Sequence, residues 1–154
     1  MYKTINQIKR ANKAAGCHWF NPGALEFFKS RVEPNVWPVA DGAYFASSEC
    51  GPDGRRKWSV RFADAQGSID TVADFGLFAT VDDAKRFAAT CAADGFDVAD
   101  SLACLLAANP GDLPFKAAWD GVEAAKASGD LLACWRWQRV RTALYALDAA
   151  RQAA

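Results

Sequence analysis

Three segments of alternating or aromatic-rich character, separated by tight-turn residues, constrain this chain more than anything else in it. Residues 57–63 place Trp58, Val60 and Phe62 on one face and Lys57, Ser59 and Arg61 on the other. That period of two predicts a strand. Residues 44–50 (Y-F-A-S-S-E-C) precede it and stop at Gly51-Pro52-Asp53-Gly54, a turn sequence. After it, Gln66-Gly67 suits a tight hairpin turn, and residues 68–75 return as a third strand. Thr80 and Asp83 then form a capping box for a helix that carries Ala84, Phe87, Ala88 and Cys91 on one face and stops at Gly95. Connections this short join antiparallel neighbours. The predicted class is α+β, a three-stranded antiparallel sheet packed with helices and followed by a C-terminal helical segment.

The flanks read as helical. Thr4 and Gln7 make a capping box before Ile5, Ile8 and Ala11, and Gly16 is a helix stop. Residues 17–20 are a short apolar stretch, strand or extended. Asn21-Pro22 opens a second helix with Leu25 and Phe28 on one face and Phe27 beside them; Glu33-Pro34 ends it, and Trp37-Pro38 reads as an extended linker. From Phe96 the composition turns to Ala, Leu and Trp at helical spacing. One helix carries Leu102, Leu105 and Leu106 and ends at Asn109-Pro110-Gly111. Another starts at Pro114 with Phe115, Trp119 and Val122, and a last one is capped by Asp130. The short break at Ser128-Gly129 makes the last two an antiparallel hairpin. The expected organisation is a small α+β domain over 1–95 and a helical annex over 96–154 packed on it.

With 51% apolar residues, six Trp and ten Phe in 154 residues, the chain has material for a packed core. Its 18 basic and 18 acidic side chains cancel. That argues against a DNA mimic and against a bulk polyelectrolyte binder. The charges are unevenly spread: residues 1–61 carry ten Lys/Arg against five Asp/Glu, residues 62–115 two against nine. Cys17, Cys50, Cys91, Cys104 and Cys134 include no C-x-x-C, and His18 is the only histidine. Reduced, buried thiols in a cytoplasmic protein are expected, without a zinc site. The amino end lacks the apolar core of a signal peptide, and residues 102–108 are too short an apolar run to span a bilayer.

Catalytic signatures are sparse. His18 sits in the aromatic run C-H-W-F, and in an extended segment Cys17 would point away from it. Asp64, Asp70, Asp74, Asp82 and Asp83 read as solvated or capping groups, Asp70 and Asp74 on one face of the third strand. No glycine-rich phosphate loop or G-x-S-x-G is present. The expectation is a protein that is not an enzyme and uses no cofactor. Two sets of residues suit binding. Arg136, Arg139 and Trp137 on the last helix combine the residue types that dominate protein interfaces. Arg55, Arg56, Lys57 and Arg61 on the strand hairpin would be the phosphate contacts of a nucleic-acid binder. In that respect the three strands and following helix resemble the sheet-plus-helix domains at the amino end of phage integrases, and the element order superficially resembles a double-stranded-RNA-binding domain.

The phrases W-F-N-P-G-A-L-E-F-F-K-S-R-V, Y-F-A-S-S-E, W-S-V-R-F-A-D-A-Q-G-S-I-D-T-V-A-D-F and F-A-T-V-D-D-A, over residues 4–92, resemble an uncharacterised family of small bacteriophage and mobile-element proteins. That pattern has a helix ending F-F-x-S-R, a Y-F-x-x-S-E strand, a Y-S-V-R strand and a G-x-I-x-T-V strand. Trp58 stands where tyrosine is more usual, and Ala73 replaces a common glycine. The resemblance implies provenance more than mechanism. Together with the residue reading, it leads to the expectation of a non-enzymatic binding protein that inhibits a host defence complex, of the anti-CRISPR or anti-restriction type, by protein–protein contact. The alternative is a DNA- or RNA-binding accessory protein using the basic hairpin.

Overall fold

A computed structural model describes residues 1–111 and 113–154. The chain is α+β and divides into two units, Met1–Asp94 and Gly95–Ala154. The first unit runs α1 (Ile5–Ala14), α2 (Pro22–Phe27), β1 (Arg31–Val39), β2 (Gly42–Cys50), β3 (Arg56–Asp64), β4 (Ile69–Thr71) and α3 (Val81–Ala93). Its antiparallel sheet has the order β1-β2-β3-β4, so every strand pairs with its neighbour in sequence. The sheet therefore has four strands, not three.

The additional strand is β1, whose residues read as the end of a helix and a linker. Pro34 and Pro38 hide it, because proline cannot donate to a ladder. The strand tolerates both prolines because it lies at the sheet edge and bulges where residues 33–35 interrupt its pairing with β2. The same prolines discourage a further strand from adding there. The second helix is correspondingly short. The Ser30 N–H donates to the Leu25 carbonyl (2.7 Å) and that of Lys29 to Glu26 (3.0 Å), a Schellman stop with Lys29 in the left-handed position at φ 49°. A lysine there carries no glycine signal, so the stop is invisible in the sequence. Lys29→Gly is expected to stabilise the protein by about 1 kcal/mol, measurable as a higher melting temperature. An unchanged or lower value would contradict this backbone geometry.

Both faces of the central strands are covered. Tyr44, Trp58, Val60 and Phe62 are buried on the face that takes α3, which contributes Ala84, Ala88 and Cys91. On the other face, Ile5 and Ile8 of α1 meet Ala43, Phe45 and Ala63, with Trp19 and Phe20 packed alongside. Residues 17–20 are not a strand; Trp19 and Phe20 lie in a turn, with rings 5.6 and 5.9 Å from that of Phe45. Burial on both faces makes this sheet the interior of the unit, whereas the alternation in β3 suggested one wet side.

The third predicted strand is also shorter than expected. Pairing with β3 ends at Thr71, the chain departs through Ala73 at φ 61°, and Phe78 rejoins by a single bridge to Trp58. Ala73, which stands where the resembling pattern has glycine, thus occupies the conformation that glycine takes most readily. Asp74 consequently leaves the strand that carries Asp70.

The second unit holds α4 (Val98–Ala108), α5 (Leu113–Ser128) and α6 (Leu131–Ala153). Asp97 caps α4 through the Asp100 N–H, and Asp130 caps α6 through that of Ala133, each at 2.9 Å. Leu105, Ala118, Val140 and Leu144 form the buried centre. Gly121 lets α5 approach Trp137, since a Cβ there would lie 2.3 Å from the indole.

Candidate functional site

The early stop of α2 turns two phenylalanines outward. Phe27 is 80% exposed and Phe28 50%, their rings edge to face at 4.9 Å. Adjacent helical residues lie about 100° apart, so Phe27 falls at the margin of the face that Leu25 and Phe28 share in the sequence pattern. That is the signal a sequence reading could have used. The corner is joined to the sheet on its other side. The Cys50 N–H donates to the Phe28 carbonyl (3.4 Å), and Arg56 Nη1 donates to the Lys29 carbonyl (2.8 Å) and Ser48 Oγ (2.9 Å). The β2–β3 turn therefore sits against the end of α2.

The segments that meet at this corner are rich in positive charge, although Arg31 and Lys57 lie on opposite faces of the sheet. Lys29 and Arg31 come from the α2–β1 junction, Arg55, Arg56 and Lys57 from the turn and β3, and Glu26 and Asp53 oppose them, a net of +3 over residues 26–31 and 53–57. Lys29, Arg31, Arg55 and Lys57 are exposed. Sequence reasoning missed Lys29 and Arg31 because it placed them inside a longer helix.

Arg61 does not belong to this surface. It is 6% exposed and sits on the α1 side of the sheet. Its Nε donates to Ser47 Oγ (3.0 Å), its Nη1 to Thr71 Oγ1 and its Nη2 to Glu49 Oε1 (3.2 Å). Its guanidinium lies over the rings of Trp19 (5.4 Å) and Phe75 (5.6 Å). Burial pulls its pKa below the ordinary arginine value, and Glu49 opposes that shift. A phosphate could reach it only by displacing these partners, so the expected set of four basic contacts divides into Arg55 and Lys57 exposed, Arg56 half-buried and tied to Lys29 and Ser48, and Arg61 as an internal tie.

Arg136 and Trp137 are brought together in the second unit, lining a mainly apolar cleft of about 560 Å³ with Phe96, Cys104 and Val140. Arg139 is not part of that lining; its guanidinium lies over Trp135 at 6.0 Å. The three residues expected to form one patch are therefore divided between the cleft and the ring of Trp135. Cys104 is exposed, whereas Cys91 and Cys134 are buried, and none of the five cysteines is in a disulfide. Cys17 and His18 line one cleft beside α1, because the segment turns where an extended one would have separated them.

The aspartates take local roles. Asp64 accepts the N–H groups of Gln66 and Ser68 (both 2.9 Å) in the β3–β4 turn. Asp83 is bonded to Thr80 and Arg86, which hold its carboxyl below the usual range. Partial burial, then the charge of Asp64, pushes Asp70 up. Among the described residues, no three His, Cys, Asp or Glu side chains converge as metal ligands, and no helix is long and apolar enough to cross a membrane.

Fold and surface together define a small α+β domain: an antiparallel four-stranded meander covered by helices on both faces, with an aromatic and basic corner. Residues 4–89 match the model of a family of unknown function, DUF7447, and the chain belongs to that family. The corner lies within the matched residues. Neither a curated protein nor a solved structure matches the chain.

Proposed function

We propose that this is a non-enzymatic binding protein of phage or mobile-element origin that blocks a host defence complex by docking on an acidic protein surface. The exposed Phe27–Phe28 pair carries this reading. Two large rings held in water next to the exposed Lys29, on a segment hydrogen-bonded to the sheet beside the Arg55–Arg56 turn, have the composition of an interface centre with a charged rim. The second reading, nucleic-acid binding by the hairpin, is favoured by the exposed Arg55 and Lys57. Aromatic rings among cations also suit unpaired bases and phosphates.

One experiment separates the two. The tagged protein is used to capture partners from a bacterial lysate with and without nuclease, alongside a Phe27→Ala/Phe28→Ala variant and an Arg55→Glu/Lys57→Glu variant. The docking reading expects a stoichiometric protein that resists nuclease and is lost at least tenfold from both variants. Capture abolished by nuclease moves the assignment to nucleic acid. Nuclease-resistant capture that both variants retain removes the corner from either role.

A further inference from the structure

The cleft beside α1 supports an assignment independent of the docking reading. It has a volume of about 330 Å³, and its lining includes Lys9, Lys13, Cys17, His18, Phe20 and Asn21. Lys9 and Lys13 stand one helical turn apart on exposed positions of α1, so their ammonium groups reach the same side. The Lys9 ammonium lies 5.7 Å from the centre of the Phe20 ring, which brings a cation to the aromatic wall. Asn21 already uses its side-chain oxygen to accept the Gly23 N–H (2.9 Å) and so offers N–H donors to the cleft. No carboxylate lines it.

We infer that this cleft is a binding site for a nucleotide-type organic phosphate, with the phosphate on Lys9 and Lys13 and the planar base along Phe20 and Pro22. A phosphate monoester carries close to two negative charges at neutral pH, and two ammonium groups match that better than they match a single carboxylate. A lining of two cations, amide and imidazole groups and apolar atoms, with no carboxylate, suits an acceptor-rich head on a flat body. The volume lies at the small end of ligand sites, which fits one nucleotide unit and not a larger cofactor. An internal residue of a single strand carries a phosphodiester with one negative charge, so the match to two ammonium groups favours a free mononucleotide.

Cys17 supplies a reporter inside the cleft, and the exposed Cys104 of the other unit supplies an internal control. Alkylation of each thiol by iodoacetamide is followed by mass spectrometry as adenosine 5′-monophosphate is added. The expected result is saturable protection of Cys17, at least threefold in rate, with Cys104 unchanged and adenosine without effect. Lys9→Glu/Lys13→Glu should weaken protection at least tenfold, while Arg10→Glu, an exposed change on the same helix but outside the lining, should leave it within twofold. No protection at millimolar nucleotide, or equal loss from Arg10→Glu, would overturn the assignment. A thymidine oligonucleotide without a terminal phosphate that protects at lower concentration than adenosine 5′-monophosphate would also overturn it, because its diesters lack the second charge.

Discussion

Arg61→Ala is expected to lose about 3 kcal/mol of stability, and Glu49→Ala about 4 kcal/mol, both within the range for breaking a buried ion pair. The side chains are 8% and 19% exposed, so neither is well hydrated. Removing Glu49 leaves a buried guanidinium hydrogen-bonded to Ser47 and Thr71 with no carboxylate partner; removing Arg61 leaves a carboxylate that can still reach water, hence the smaller cost. Arg61→Ala also takes away the group between Trp19 and Phe75. Arg61→Met, which refills that space without a charge to desolvate, should recover much of the loss. Urea-induced unfolding followed by circular dichroism gives these values. A stability change below 1 kcal/mol for Arg61→Ala, coupled to lost nucleic-acid binding, would return Arg61 to the surface role that its strand pattern suggested.

The other large effect is expected at Gly67. This residue closes the β3–β4 turn at φ 93°, and a Cβ there would lie 2.5 Å from the Ala11 carbonyl carbon and 2.6 Å from the Asn12 nitrogen. Those are backbone atoms of α1, which cannot move aside like the end of a flexible side chain. The buried Asn12 fixes the approach, donating from Nδ2 to the Gly67 carbonyl at 2.7 Å. Gly67→Ala thus combines left-handed strain of about 1–2 kcal/mol with overpacking of about 1–3 kcal/mol. Gly54→Ala is the control: its φ is 73° with nothing within 4 Å, so only the strain applies. The alanine at 67 should destabilise roughly twice as much as the alanine at 54. Equal losses would show that α1 does not rest on this turn.

These residues also show where sequence reasoning succeeds and where it stops. The Thr4–Gln7 capping box, the Thr80 and Asp130 caps, the two turns flanking β3 and its alternation are local. Each is decided by hydrogen bonds and torsions within a few residues, and each appears where the sequence places it. The edge strand with two prolines and the helix stop at Lys29 were not legible. In both, a residue that locally disfavours the observed conformation is held there by partners elsewhere: β2 for the strand, Cys50 and Arg56 for the stop.

The candidate sites divide in the same way. The residue types, the basic bias of residues 1–61 and the alternation that puts Arg61 opposite Phe62 were determined by the sequence itself, because composition and period need no partner. Tertiary structure alone decided that Arg61 is buried while Phe27 and Phe28 are exposed, and that Cys17 and His18 share a cleft with Lys9 and Lys13. Burial depends on what covers a face, and the cover for Arg61 comes from Trp19 and Phe75, which are distant in the chain from each other and from β3.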